Sequence, residues 1–445
     1  MADDPHAADA PAGGRARGAV APAAGRRPAW TAAPAPGEPF VLGVNYWPRR
    51  KAMWWWRGFD DAEVDEELAL VASLGLELVR VFLLWDDFQP APDTVSRERL
   101  AELERLCDLA ERHGLGLAVT FFTGHMSGPN WAPRWSLLPP GQGARPGLRP
   151  PVVVMSGGEP VDAGYRDPYQ DPMMRRAEEL LVTEVVTALR DHPAPRLWSL
   201  GNEPDLFAWP ASAAAGRAWV RDIAALIRRL DPSRPVTCGL HVASLVEDNG
   251  LRVHDVFAAC DVAVMHAYPM YVPWARTPLD PDLVPFACAL TAALSGKPVL
   301  AEEWGGCTAP PGEPSQTWRW TALAGEREQF MASEEDLAVY VAQVLPRLVA
   351  AGATGALLWC FADYDESLRG TPPLTAFRHE RHFGLVRPDG TLKPHAEAVR
   401  AFAATSPRVR RVDWTGLLDV TPDEYYRAPA EHAVRLYERY LRRGA

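Results

Sequence analysis

Lysine is almost missing from this sequence: Lys51, Lys297 and Lys393 are the only three among 46 basic residues, and the other 43 are arginine. Because that bias runs through the whole chain, a single arginine pair carries little diagnostic weight. Paired cysteines are missing too. Cys107, Cys238, Cys260, Cys288, Cys307 and Cys360 form no CxxC and meet no histidine at metal-finger spacing, so they read as free thiols in a reducing compartment. Long apolar runs are absent. The longest late one, Leu348 to Ala362, has 15 residues, short of the roughly 18 needed to cross a bilayer, and no membrane span or membrane partner is expected. Asp3 and Asp4 stand where an export signal would be basic, and no apolar stretch of signal length follows, so the expected location is cytoplasmic despite the Arg26-Arg27 pair. Positive charge is in deficit, with 57 acidic residues and a net charge of −11. Such a surface repels phosphate backbones, which makes nucleic acid a poor candidate partner. No GxGxxG or GxxxxGK[ST] loop follows the first apolar run, which counts against a doubly wound nucleotide-binding sheet.

What is there is ordinary globular material, 47% hydrophobic and 23% charged, enough for a large core. The length suits several small domains or one large barrel with extensions. Residues 1–38 hold 14 Ala, 6 Pro and 5 Gly and almost nothing large enough to pack, which predicts a disordered tail. From Phe40 onward, apolar runs alternate with segments of helical period. The runs lie at 40–45, 78–84, 115–122, 197–200, 236–240, 262–266, 299–303 and 356–361. Each is followed by a helical segment, at 61–73, 97–113, 174–189, 213–230, 253–259, 284–294, 334–351 and 394–403. Eight such units predict an α/β fold, a (β/α)8 TIM barrel over residues 39–403. Residues 404–445 add a charged helical extension, amphipathic from Ala430 to Leu441, available to pack under the barrel or against a second copy of the chain.

In such a barrel the segments after the strands' C-terminal ends build the active site. Two are long, from Thr123 to Met173 and from Trp304 to Ala332, and are expected as functional, structureless loops. Thirteen of the 17 tryptophans, among them Trp47, Trp85, Trp320 and Trp359, lie at or just past strand ends. They predict an aromatic mouth suited to sugar rings, with a share of the indoles serving as loop core.

The fourth run ends in Asn202-Glu203-Pro204 and the seventh in Glu302-Glu303-Trp304-Gly305. Two carboxylates on different strands of one barrel mouth are what glycoside hydrolysis requires, one to protonate the leaving oxygen and one to meet the positive charge at the anomeric carbon. Strand alternation sends Glu302 and Glu303 to opposite faces without saying which faces inward. With Arg80 at the end of the second run and His266-Ala267-Tyr268 on the sixth, these motifs resemble the retaining glycosidases of clan A, specifically glycoside hydrolase family 5, over about residues 40–403.

The resemblance implies Glu203 as acid/base and Glu303, rather than Glu302, as nucleophile. It further implies Arg80 and Tyr268 on the Glu303 carboxylate, Asn202 on the sugar 2-hydroxyl, His266 and His125 as orienting groups, Trp359 as the pocket floor and Trp85 among the sugar contacts. Glu203 needs a raised pKa and Glu303 must stay ionised. His113, His241 and His254 lack metal-set spacing and read as structural; no metal and no cofactor are expected. The Gly43-Val44-Asn45-Tyr46-Trp47-Pro48 opening and Trp54-Trp55-Trp56 look most like a β-mannosidase, exo-acting on short oligosaccharides. An endo-β-1,4-mannanase, a β-glucanase or a β-glucosidase would use the same pair. A non-catalytic sugar-binding barrel would keep the aromatic mouth without both carboxylates, and a metal-dependent barrel hydrolase would show HxH on the first strand, which reads Val44-Asn45-Tyr46.

Overall fold

A computed structural model of the chain describes residues 37–146, 153–322 and 325–444. All but the last two residues of the predicted tail lie outside the described residues. Eight parallel strands form one sheet: β1 (Val41–Asn45), β2 (Leu78–Leu84), β3 (Gly116–Thr123), β4 (Pro195–Asn202), β5 (Val236–Gly239), β6 (Ala263–His266), β7 (Val299–Gly305) and β8 (Gly355–Trp359). Their spatial order is β5-β4-β3-β2-β1-β8-β7-β6, the chain order bent into a ring. Backbone bonds from His266 N to Leu240 O (2.9 Å) and from Val242 N to His266 O (3.0 Å) join the two ends, so the sheet closes as the barrel that the eight repeats predict.

The helices are α1 (Asp61–Ser73), α2 (Arg97–Arg112), α3 (Pro172–Leu189), α4 (Ala213–Leu230), α5 (Val253–Ala258), α6 (Leu283–Ser295), α7 (Glu334–Ala350) and α8 (Pro394–Ala404), one after each strand. Their starts are fixed locally: Asp60, Ser96, Asp171, Ser212 and Ser333 each accept from free amides of the first turn. Helices cover the outer face and side chains fill the inner one, which is why β1, β2, β3, β7 and β8 are buried along their whole length.

The two long segments are not structureless. After β3, strands Asn130–Trp131, Val154–Ser156 and Glu159–Val161 form a small sheet, and Leu137–Leu138 pairs with Gly164–Tyr165. After β7, Gln316–Ala322 and Gly325–Met331 form an antiparallel hairpin. Segments this long must satisfy their own backbone donors and acceptors, and local pairing does so. The C-terminal extension first crosses the N-terminal ends of the strands, where Phe40 N donates to Pro407 O (2.9 Å), Val409 N to Glu38 O (2.9 Å) and Trp414 Nε1 to Ala351 O (2.8 Å). It then runs beside the barrel: Tyr437 OH donates to Asp280 (2.6 Å), while Tyr425 and Tyr426 OH donate to the carbonyls of Leu245 (2.6 Å) and Ser244 (2.7 Å), in the segment that follows β5.

The end of β5 has no room for a side chain. A Cβ on Gly239 would stand 2.6 Å from Gly201 O, 3.1 Å from Arg80 Nη2 and 3.2 Å from His266 Cε1. Gly239→Ala is expected to cost about 1–3 kcal/mol in a urea titration and to disturb both polar side chains; an unchanged midpoint would show that the strand end has slack.

Candidate active site

Arg80 projects from β2 into the barrel with no exposed surface. Its Nε donates to Thr120 Oγ1 on β3 (3.0 Å), Nη1 to Asn45 Oδ1 on β1 (3.1 Å) and to Glu303 Oε1 on β7, and Nη2 to Asn202 Oδ1 on β4 (2.9 Å), with Glu302 Oε2 3.5 Å away. The guanidinium thus donates four hydrogen bonds and stands at ion-pair distance from Glu302, the conditions under which a charge can be buried this deeply. Asn45 extends the network by donating to the carbonyls of Glu302 (2.9 Å) and Leu358 (3.1 Å).

Glu203 follows β4 in the left-handed conformation, φ 46° and ψ 58°, which non-glycine residues rarely adopt and which persists only where its surroundings hold it. Its amide donates to Gly239 O (3.0 Å), and its Oε1 lies 2.9 Å from His266 Nδ1. On β7 the pairing slips between Ala301 and Trp304, and on the β6 side between Met265 and His266. The slip breaks strict alternation. Glu302 and Glu303, expected on opposite faces, both reach Arg80 and His266. They differ in depth. Glu303 faces a cavity and accepts from Tyr268 OH (3.1 Å), while Glu302 is sealed, its Oε2 3.0 Å from His266 Nε2. One oxygen of Glu203, one of Glu303 and a ring nitrogen of His266 lie within 4.8 Å of one another. Both His266 nitrogens meet carboxylates, Nδ1 facing Glu203 and Nε2 facing Glu302.

The cavity above these groups measures about 610 Å³, within the usual range for small-molecule sites. Of the predicted residues, His125, Asn202, Glu203, His266, Tyr268, Glu303 and Trp359 line it. Arg80 lies beneath it and touches Glu303 and Asn202 instead. Trp85 is a correction. It is buried in the core, packed on Phe122 and Trp135 (centroids 5.3 and 5.9 Å), and its Nε1 donates to Gln89 (2.6 Å). The aromatic mouth shrinks likewise. Only Trp320 and Trp359 line the cavity; Trp47, Trp55, Trp56, Trp131 and Trp304 are buried away from it, where indoles contribute most as packing volume.

His241 was expected to be structural, yet it lines the cavity. Its Nε2 is 2.7 Å from Oδ2 of buried Asp205, which also accepts from Asn249 Nδ2 (2.8 Å). The signal was present: Asp205 stands two residues past Glu203, and His241 two past β5. His113 and His254 do sit elsewhere, beside Asp65 (2.8 Å) and Asp423 (3.4 Å). The hairpin and the segment after β8 complete the wall with Arg327, His379 and Glu380. His379 Nε2 lies 3.3 Å from Glu380 Oε1. No motif marked this segment in advance.

A family model described as "Glycosyl hydrolases family 2, TIM barrel domain" matches residues 152–405, more than half of the chain. The chain belongs to this glycosyl hydrolase TIM-barrel family. The motif resemblance to family 5 stands beside it. The hydrolase is 26% identical over 298 residues to a probable mannan endo-1,4-beta-mannosidase A-2 of Aspergillus terreus, covering 60% of this chain and 68% of that protein. It is 26% identical, with a TM-score of 0.66, to the exo-beta-1,4-mannosidase Op5Man5 of an Opitutaceae bacterium, covering 83% of this chain and 60% of that one. It also shares its fold, at 20% identity and a TM-score of 0.70, with a GH5_18 protein of Streptomyces cattleya solved with GlcNAc, over 92% of this chain and 91% of that one. The hydrolase thus spans somewhat less than two thirds of the Op5Man5 chain.

Charge in the hydrolase site differs from the sequence expectation. Burial alone raises Glu203, but His241, then His266 and His125, outweigh it and hold its carboxyl down to about 2. Burial raises Glu303, opposed by His266 and Arg80 and reinforced by Glu203. The anticipated order, Glu203 high and Glu303 low, is thus reversed, because imidazoles surround Glu203. Burial lowers both imidazoles, yet Asp205 then Glu203 push His241 up to about 9, and Glu303 with Glu203 and Glu302 push His266 up to about 9. Raised histidines stabilise the fold fully below their ordinary value of 6.5 and lose that contribution as pH rises through about 9. The urea midpoint should therefore fall across that window, and His241→Asn should flatten the fall; a wild-type midpoint constant over the window would contradict it.

Proposed function

We propose that this hydrolase cleaves β-mannosidic bonds with net retention, releasing sugar from one end of short oligosaccharides, with Glu303 as nucleophile and Glu203 as acid/base. The observation that carries the reading is the approach of Glu203 and Glu303 oxygens to within 4.8 Å across one cavity. Retaining sites hold their carboxyl groups about 5–5.5 Å apart, whereas inverting sites need roughly 6.5–9.5 Å to seat a water. Glu303 attacks the anomeric carbon from the position in which Arg80 and Tyr268 hold it, and the leaving oxygen takes a proton from Glu203. Water then attacks the glycosyl ester, giving its proton to Glu203 and freeing Glu303. Asn202 uses one Nδ2 hydrogen on His125 O (3.0 Å) and keeps the other for the sugar 2-hydroxyl. The hairpin after β7 and the segment after β8 wall the cavity, which favours action at a chain end. Mannose as the sugar draws support from the curated relatives and from Op5Man5, which are named as mannosidases. Six unpaired, buried cysteines support cytoplasmic action.

An endo-acting mannanase is the second reading, favoured by the printed names of the curated relatives. Release of monosaccharide from short mannosides, without loss of viscosity in mannan, separates the exo from the endo reading. A panel of aryl β-mannoside, glucoside, galactoside and xyloside, with proton NMR of the first-formed anomer, tests sugar and stereochemistry together; inversion would sink the proposal. Glu303→Gln should lose nearly all activity. Glu203→Ala should lose about 10²–10⁴-fold on substrates with poor leaving groups and far less on activated aryl glycosides, and equal losses on both would count against its role. EDTA should leave turnover unchanged. Glu380→Gln should raise KM about tenfold with kcat nearly kept, as expected for a carboxylate that accepts from substrate hydroxyls.

A further inference from the structure

Glu302 touches no cavity, yet it is one of the most constrained residues beside it. Its side chain has no exposure, its Oε1 has no hydrogen-bond partner, and its Oε2 lies 3.0 Å from His266 Nε2 and 3.5 Å from Arg80 Nη2. An unmet carboxylate oxygen in the interior is destabilising, and a glutamine of the same shape would fill the space without a buried charge. Arg80 gives no sufficient reason for a second carboxylate, since Glu303 already faces it. His266 does. Its other nitrogen, Nδ1, lies 2.9 Å from Glu203 Oε1, so carboxylate, imidazole and carboxyl stand in a line from β7 through β6 to the end of β4.

We infer that Glu302 is a positioning residue that holds His266 as the store of the acid/base proton. The inference rests on the reading of Glu203 as acid/base and Glu303 as nucleophile. At the start of the cycle His266 is an imidazolium, with Nδ1–H toward the Glu203 carboxylate and Nε2–H toward Glu302. As the bond between the anomeric carbon and the leaving oxygen breaks and the bond to Glu303 forms, Glu203 takes the proton from His266 Nδ1 and delivers it to that oxygen, ending as a carboxylate again. The ring is left neutral, its Nε2–H still donating to Glu302. In the second half, water attacks the anomeric carbon, its proton passes to Glu203 and on to Nδ1, the bond to Glu303 breaks, and the starting charges return. No proton is gained or lost over the cycle.

The other groups facing this line are Arg80 from β2, His125 from the segment after β3, His241 with Asp205 from the segments after β5 and β4, Tyr268 from the end of β6, and Glu303 from β7. Arg80 holds its protons permanently, and His241 already points one nitrogen at Asp205. His266 alone bridges two carboxylates through both nitrogens at hydrogen-bond distance. The depressed Glu203 and the raised His266 agree with a proton resting on the ring.

The test is Glu302→Gln, with kcat/KM measured against pH on a mannoside of poor leaving group and on a dinitrophenyl mannoside. The basic limb is expected to move about one pH unit or more toward acid, with a loss about tenfold greater on the poor leaving group, and Glu302→Asp should restore part of both. A limb that stays in place, or equal losses on the two substrates, overturns the inference. Labelling with a 2-fluoro glycoside keeps the underlying reading separate: a label on Glu303 leaves that reading standing whatever Glu302→Gln does, while a label on Glu302 removes both. Should the variant not fold, nitrogen NMR of His266 in the wild-type protein decides. A ring charged up to about pH 9 supports the inference, and one neutral at pH 7 overturns it.

Discussion

A single guanidinium, buried without any contact with solvent, organises the end of this barrel that carries the cavity. Arg80 leaves β2 and donates four hydrogen bonds to side chains from β1, β3, β4 and β7, with a second carboxylate of β7 at ion-pair distance. A lysine could supply the charge but not the planar fork that meets several strands at fixed angles. Much around it follows from making that burial tolerable. Gly239 has no side chain because Nη2 needs the space, Asn45 turns its oxygen inward, and two consecutive glutamates converge where a regular strand would separate them.

The second organising fact is an excess of negative groups. Glu203, Glu302, Glu303 and Asp205 crowd the volume around Arg80, and they push the two imidazoles of His241 and His266 up, toward the charged form. Histidine suits this because its ordinary titration lies close enough to neutrality for neighbours to move it in either direction. His125, lacking so close a carboxylate, goes the other way and is lowered by burial. The net charge of the whole chain says nothing about this local account; it is settled within one cluster of side chains.

Much of the fold could be read from the order of residues. The eight apolar runs, the capping Asp and Ser residues and the Asn-Glu-Pro and Glu-Trp-Gly ends are all local patterns, and each corresponds to a strand, a helix start or a wall of the cavity. What escaped the sequence depended on contacts between distant segments. Alternation along β7 was upset by pairing slips that only the neighbouring strands reveal. Trp85 carried the composition of a sugar platform but met Phe122 and Trp135 first. His241 gained its importance from Asp205, 36 positions earlier in the chain, and Glu380 from a hairpin folded across the barrel mouth. Charge was the hardest to foresee, because the balance on Glu203 depends on two rings brought by β5 and β6.

The C-terminal extension grips the barrel through tyrosine hydroxyls, and two of them hold the backbone at Ser244 and Leu245, only three and four residues beyond His241. Shortening the chain from that end would unclamp the peptide that carries one of the two rings flanking Glu203. The last stretch of the polypeptide is therefore mechanically part of the cavity's wall, tied to it by the peptide that runs on from His241.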